Sequence, residues 1–275
     1  MNKLSAFYGE VSQYAKQHDI SMDTALKNVK KLGYDYIECY SAEAASNSES
    51  KKIIDANGFE VVSFFGSFNF GYDSIEVSTN KIKNFVDLAL NVGVKKIMPM
   101  LGAVRPGDNV NDIMKKMCEC INILCEEARR HNIIVTIEDC YSKTAPFSTP
   151  EQIEYFLKNV DGLYFTMDNG NFAYQCQDSM KIYEKLKSYI VHAHIKDLTH
   201  DKSFANASNN NFLVDVANKP TYPCAVGEGF CDLETYVKKM IADGYKGAFS
   251  IELNGAADMY KGFEKSAKNM REWIK

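Results

Sequence analysis

The sequence predicts a closed (β/α)8 TIM barrel, an α/β fold, and three observations carry that prediction. Eight short β-branched or aromatic runs recur along 275 residues, helical patterns lie between most of them, and glycine marks several helix-to-strand joins. Strands alternating with helices imply a parallel sheet, and eight such units in this length match a closed barrel better than an open sheet. No linker-like segment divides the chain, so residues 1–275 are expected to form one domain.

The elements follow in order. Leu4-Ser5-Ala6-Phe7-Tyr8 reads as the opening strand. A helix over 21–32 ends at Gly33 and leads into Tyr34-Asp35-Tyr36-Ile37-Glu38; the next ends at Asn57-Gly58 and leads into Val61-Val62-Ser63-Phe64-Phe65. Glycine suits these joins because it closes a helix in the left-handed conformation without steric cost. Ile82, Phe85, Val86, Ala89 and Leu90 share one helical face, followed by Gly93 and the run Lys96-Ile97-Met98-Pro99. A helix over about 109–131 carries Ile113, Met117, Ile121, Leu124, Cys125 and Ala128 at helical spacing and feeds Ile133-Ile134-Val135-Thr136-Ile137-Glu138.

Thr149-Pro150-Glu151-Gln152 has the form of a capping box with proline at the first helical position. The last strands read Leu163 to Asp168, Ile190 to Ile195, and Ala248 to Glu252. One stretch breaks the rhythm: 198–226 is long, rich in Asn and Ser, and is expected to be a loop insertion of the lid type. A helix over 257–273, with Phe263, Met270 and Trp273, could face a second copy in a homo-oligomer or the barrel's own strands; packing on the barrel is the expectation.

Composition narrows the function classes. The chain is 45% hydrophobic and 25% charged, as globular chains are, and no apolar run reaches the length of a membrane span. A net charge of −4 gives no concentrated basic face, which argues against nucleic acid as a partner. The opening Met1-Asn2-Lys3-Leu4-Ser5 lacks the apolar core of a secretory signal, so a cytoplasmic location is expected. The eight cysteines include no Cys-x-x-Cys pair, and Cys118, Cys120 and Cys125 share one helix; they read as free, packing thiols.

In such a barrel the active site lies at the carboxyl ends of the strands. There the fifth strand offers Glu138, the sixth Asp168, the seventh His194 and the eighth Glu252. Three carboxylates converging in one mouth would repel each other, and a cation relieves that repulsion. Three oxygen donors and one nitrogen suit Mn²⁺, Mg²⁺ or Co²⁺, with Mn²⁺ the leading choice, and form too hard a set for a thiolate-type zinc site. His192, His194 and Lys196 alternate along one strand and share a face.

Ile137-Glu138, Met167-Asp168-Asn169-Gly170-Asn171, His192-Ala193-His194-Ile195-Lys196-Asp197, Gly227-Glu228-Gly229 and Ser250-Ile251-Glu252 resemble motifs of the xylose-isomerase-like barrel superfamily, which includes sugar phosphate isomerases and epimerases. The resemblance runs through nearly the whole chain. It implies that Glu138, Asp168, His194 and Glu252 are metal ligands, with a carbohydrate or sugar phosphate as the small-molecule substrate. The implied reaction is isomerisation or epimerisation by proton transfer beside a carbonyl, through a metal-stabilised enediolate. Glu138 and Glu252 would be the catalytic acid–base pair on opposite walls. Asn171, His192, Lys196 and Glu228 are the candidate substrate-binding residues, while Glu38 and Cys140 lie where they could reach the rim.

Departures from the family narrow the choice. Where ketose 3-epimerases tend to place a histidine, a glutamate and an arginine, this chain has Asn171, Thr144 and His200. The histidine-rich site of the abasic-site nucleases is also missing: His18, His131 and His200 fall in predicted helix or loop segments. A lyase of the same superfamily, an inosose-type dehydratase or a β-eliminating keto-sugar enzyme, is the alternative, and a non-catalytic sugar-binding barrel is a third class. Arg105, Lys143 and Lys196 are the candidates for contact with a substrate phosphate.

Overall fold

The computed structural model describes residues 2–45, 47–205 and 213–275. Its elements begin with strand β1 (Leu4–Phe7) and helices α1 (Tyr8–Gln17) and α2 (Met22–Leu32), then β2 (Tyr36–Tyr40), α3 (Ser41–Ala44) and α4 (Glu49–Ala56). Next come β3 (Glu60–Phe68), α5 (Ile75–Val92), β4 (Lys96–Leu101), α6 (Val110–Arg129), β5 (Ile134–Glu138) and α7 (Pro150–Asn159). The chain continues with β6 (Leu163–Asp168), α8 (Asn169–Tyr174), α9 (Ser179–Leu186) and β7 (Ile190–Ile195). It ends with β8 (Asp197–Thr199), β9 (Leu213–Val214), β10 (Pro220–Cys224), α10 (Leu233–Ala242), β11 (Phe249–Ile251) and α11 (Met259–Trp273).

Eight of these strands close a barrel in the order β1-β11-β7-β6-β5-β4-β3-β2, every pair parallel, so the expected (β/α)8 fold is what the chain adopts. The strands are apolar because parallel barrel strands are covered on both faces: Ile37, Phe64, Phe165 and Phe249 are fully buried. Local signals agree with the tertiary ones. Ser21 caps α2 by accepting from Thr24 N–H at 3.1 Å, and Gly33 ends that helix at φ +89°, a conformation that side chains disfavour. The capping box at Thr149 and Gln152 forms as expected. The inner face of α11, with Phe263, Ala267 and Met270, is buried against the barrel.

Two expectations are corrected. The opening strand stops at Phe7, and Tyr8 begins a helix that buries Val11, Tyr14 and Ala15; its N-cap, Phe7, offers no side-chain cap to announce it. The stretch 198–226 is not all loop: among its described residues β8, β10 and β9 form a small antiparallel sheet, Cys224 opposite Asp197 and Thr221 opposite Leu213. Pro220 and Pro223 within β10 mask its strand signal, since proline lacks the N–H that a ladder uses. Residues 206–212 of the expected loop lie outside the described residues. No helix among the described residues is long and apolar enough to cross a membrane.

Candidate metal centre

The carboxyl ends of β5, β6, β7 and β11 bring Glu138, Asp168, His194 and Glu252 together, as parallel neighbours must. One potential ligand atom from each lies within 4.8 Å of all the others. His194 Nδ1 is 2.6 Å from Glu138 Oε1 and 4.0 Å from Glu252 Oε2. The Lys196 ammonium lies between Asp168 Oδ2 (2.6 Å) and Glu252 Oε1 (2.9 Å), and also donates to Asn171 Oδ1 at 3.1 Å. Three oxygen donors and one imidazole nitrogen at this spacing fit a divalent cation, by the chemistry of the donor set.

Burial makes these charges interdependent. Burial opposes the positive form of His194, but Glu138 and Glu38 outweigh it and hold the ring protonated well above its usual range. Burial likewise opposes the Lys196 charge, and Asp168 and Glu252 more than restore it. Burial would raise the Asp168 carboxyl, yet Lys196 and His194 bring it below its ordinary value. Glu252 is pushed up to about 8 by burial and by Asp168 and Glu138, with Lys196 offsetting part of the rise.

Beneath this cage lies a second buried layer. Glu38 Oε2 accepts from His192 Nε2 and from Ser250 Oγ, both at 2.7 Å, and lies 3.3 Å from His194 Nε2. Lys96 Nζ donates to His192 Nδ1 at 2.9 Å, which fixes the imidazole as the tautomer that donates to Glu38. Burial and then Lys96 push His192 down to about 4, so the ring is neutral. Burial would raise Glu38, but His192 and His194 hold its carboxyl well below the usual range. Glu38 Oε1 has no hydrogen-bond partner among the described residues and lines the mouth cavity.

Of the residues singled out by sequence, Glu138, His194, Glu252, Asn171 and Lys196 line that cavity, with Cys140 and Glu38 beside them. His192 does not: it is fully buried, behind Glu38, and acts on it rather than on a substrate. Glu228 is not at the mouth either, but pairs with Lys265 at 3.1 Å. Its glycine-flanked turn has a structural cause. Asp197, buried, accepts from the N–H groups of Gly227 and Gly229 at 2.8 and 2.9 Å, and a Cβ on Gly229 would lie 2.2 Å from Asp197 Oδ1. Arg105 lies over the Tyr72 ring at 3.9 Å, and neither it nor Lys143 lines the cavity.

Two cavity residues carried no sequence signal strong enough to single them out. Asp139 Oδ1 accepts from Asp168 N–H at 2.9 Å; burial, with Asp168 and Glu138 adding to it, holds its carboxyl well above the ordinary range. Glu10, on the unannounced helix α1, accepts from Leu253 and Asn254 N–H, both at 2.7 Å, and so fixes the backbone that follows Glu252. The adjacency of Asp139 to Glu138 was the one visible hint of the first; Glu10 gave none.

A closed parallel barrel with an acidic, imidazole-bearing cage at its carboxyl mouth defines a class of metal-site barrels. Within that class the chain belongs to the xylose isomerase-like TIM barrel family, whose model matches residues 26–275. No curated protein matches its sequence significantly.

Solved structures resemble it throughout. A probable 3-DHS dehydratase of petrobactin synthesis from Bacillus anthracis has 17% identity and a TM-score of 0.74, covering 98% of each chain. A sugar phosphate isomerase/epimerase from Parabacteroides distasonis has 20% identity and a TM-score of 0.71, covering 100% of this chain and 96% of that one. A xylose isomerase-like barrel from Mycobacterium smegmatis in complex with magnesium has 18% identity and a TM-score of 0.67, covering 92% of this chain and 89% of that one. At these identities the likeness establishes the fold.

Proposed function

We propose that this protein is a divalent-metal-dependent sugar isomerase or epimerase that moves a proton beside a carbonyl. The observation that carries this reading is the cage itself: Glu138, Asp168, His194 and Glu252 within 4.8 Å of one another at the barrel mouth. These four would hold the ion, with Mn²⁺ preferred and Mg²⁺ the ion named for one structural relative. When bound, the ion supplies Lewis acidity to a substrate carbonyl and stabilises the negative charge that deprotonation creates.

The chain's own groups do the rest. Glu138 on β5 and Glu252 after β11 approach the cage from strands separated by β6 and β7, so one can take a proton from one face while the other returns it. Lys196 offsets the charge of Asp168 and Glu252, and Glu38 Oε2 stands 3.3 Å from His194 Nε2 as a charge partner, while Nδ1 faces Glu138 in the cage. Asn171, held by Asp139 O and Lys196, presents an amide to a hydroxyl. Glu38 Oε1 is buried and accepts no hydrogen bond among the described residues.

The test is hydrogen exchange. The Mn²⁺-loaded protein, incubated with ketoses and keto-inositols in deuterated water, is expected to place deuterium beside the carbonyl without changing the product's formula. Glu252→Gln is expected to suppress that exchange about a hundredfold or more, within the range for removing a positioned acid or base. Loss of water would instead identify a dehydratase, the chemistry named for the Bacillus anthracis relative. Failure both to bind metal and to exchange any compound would remove the enzyme reading.

A further inference from the structure

A second cavity, of about 370 Å³, lies apart from the mouth and is within the size range of small-molecule sites. The two cavities share no lining residue among the described residues. Helix α8 serves both: Asn171 lines the mouth, whereas Asn169, Ala173 and, past the helix end, Cys176 line the second cavity. Asn169 also ties this wall to the cage, accepting from Lys196 N–H at 3.1 Å and donating to Lys196 O at 2.8 Å. Other walls come from the starts of α9 and α10 and from the turn after β9, through Asp178, Asp232 and Asp215.

No lysine or arginine is among the described residues of this lining. Two basic groups reach its aspartates: Lys181 lies 3.3 Å from Asp178 Oδ2, and His200 Nε2 lies 4.0 Å from Asp215 Oδ2. With both counted as charged, the three carboxylates still outnumber them. Asp215 is the most telling of the three, being only 7% exposed. Its Oδ1 accepts from the N–H groups of Ala217 and Lys219 at 2.8 and 2.9 Å, while its Oδ2 has the His200 ring beyond hydrogen-bond reach. A carboxylate oxygen so deeply placed is costly until a donor meets it. An anion finds no such opening. The N-termini of α9 and α10, which would otherwise attract one, are closed by their own aspartates: Asp178 Oδ1 accepts from Met180 and Lys181 N–H, and Asp232 Oδ1 from Thr235 N–H.

His200 joins this carboxylate to an aromatic face. Its Nδ1 is held by Pro220 O at 3.0 Å, and its ring stacks on Phe230 at 4.8 Å and 22°. Phe230 is 48% exposed, and Met180 and Leu233 add apolar surface to the same lining. An open aromatic ring and a buried carboxylate, both against one imidazole, suit a ligand whose charge is positive and whose body is carbon. We infer that the second cavity is a binding site for a small organic cation, a primary ammonium on a short apolar body, held by Asp215 and the Phe230 face. The inference is independent of the proposed metal chemistry at the mouth.

Cys176 supplies a readout specific to this cavity, because it is exposed and lines it, while Cys140 lines the mouth and serves as the control. The full chain is alkylated with iodoacetamide in the presence of phenethylammonium, phenethyl alcohol or phenylacetate, and the rates at the two cysteines are followed by peptide mass spectrometry. These probes share a phenyl body and differ in charge. Phenethylammonium at about ten times its dissociation constant is expected to slow alkylation of Cys176 about tenfold by mass action, with the neutral and anionic probes leaving the rate unchanged. Asp215→Asn, which keeps Oδ1 for the turn after β9, is expected to weaken phenethylammonium about tenfold by calorimetry. Phe230→Leu is expected to weaken it about threefold. Protection by the alcohol or the anion equal to that by the cation, protection of Cys140 in place of Cys176, no protection by any of the three, or an affinity unchanged in both variants overturns the inference.

Discussion

The two halves of the barrel mouth are built from opposite materials. On the side of β5, β6, β7 and β11 the strand ends carry Glu138, Asp168, His194, Lys196 and Glu252, packed so closely that each sets the charge of the next. On the side of β1 to β4 the same positions carry mainly apolar groups, among them Phe7, Phe65, Met98 and Leu101. Two carboxyls, Asp168 and Glu10, show the contrast. Asp168 has cations beside it and is held below its ordinary value; Glu10, which receives only backbone N–H groups, is raised by burial to about 7. Glu38 crosses the divide, rising from β2 to meet His192 and Ser250. What separates Asp168 from Glu10 is the balance of neighbouring charge against burial: Glu252 also has Lys196 beside it, yet burial, Asp168 and Glu138 raise it to about 8.

The largest expected effect tests that statement directly. Glu10 has a folded-state value near 7 against an ordinary 4.5, so the folded state holds its proton more tightly than the unfolded state does. Its contribution to stability is therefore full below about pH 4.5, declines as pH rises through this interval, and is lost above about pH 7. Glu10→Gln keeps an oxygen for Leu253 and Asn254 but removes the titration. Denaturant unfolding at about pH 5 and about pH 8 should show the variant losing less stability than the parent, by up to roughly 3 kcal/mol. Equal losses would show that Glu10 has no unusual affinity for its proton.

Next in size is the residue that joins the halves. Glu38→Gln weakens the acceptor facing His194 Nε2 and should lower Mn²⁺ affinity about ten- to a hundredfold by calorimetry, with the circular dichroism unchanged. An unchanged affinity would confine Glu38 to the floor and separate the two sides altogether. The smallest effect belongs to the apolar side: Phe65→Leu should cost less than about 1.5 kcal/mol of stability and leave Mn²⁺ affinity as it was. A shift in metal affinity there would mean that the apolar wall also shapes the cage.

The same division explains what was legible in the sequence. The barrel was readable because alternating apolar runs and helical patterns leave few other folds, and Glu138, Asp168, His194 and Glu252 stood out because a charge at the end of a buried strand is costly without a reason. The apolar wall was hidden, since Phe65 or Met98 at a strand end looks like any core residue. Glu228 misled because Gly227 and Gly229 serve the carboxylate of Asp197, a contact between positions 30 and 32 residues apart that no local spacing announces. His192 lay on the face that the strand period assigned to it, one layer below where a substrate could reach.

Closure of the barrel also sets an order of events in folding. β1 pairs with β11 along Leu4–Phe249, Ser5–Ser250 and Ala6–Ile251, and Glu252 follows that seam directly, its N–H donating to Ile195 O at 3.0 Å. The proposed cage, by contrast, draws on four consecutive strands, β5, β6, β7 and β11, so it is complete once β11 has paired with β7, whether or not β1 has yet closed the barrel. A nascent chain has no complete cage to offer until Glu252 has emerged, and from then on full coordination needs the β7–β11 pairing and not the β1–β11 seam. Once captured, the ion would act as a clasp across β5, β6, β7 and β11, slowing the separation of these four strands.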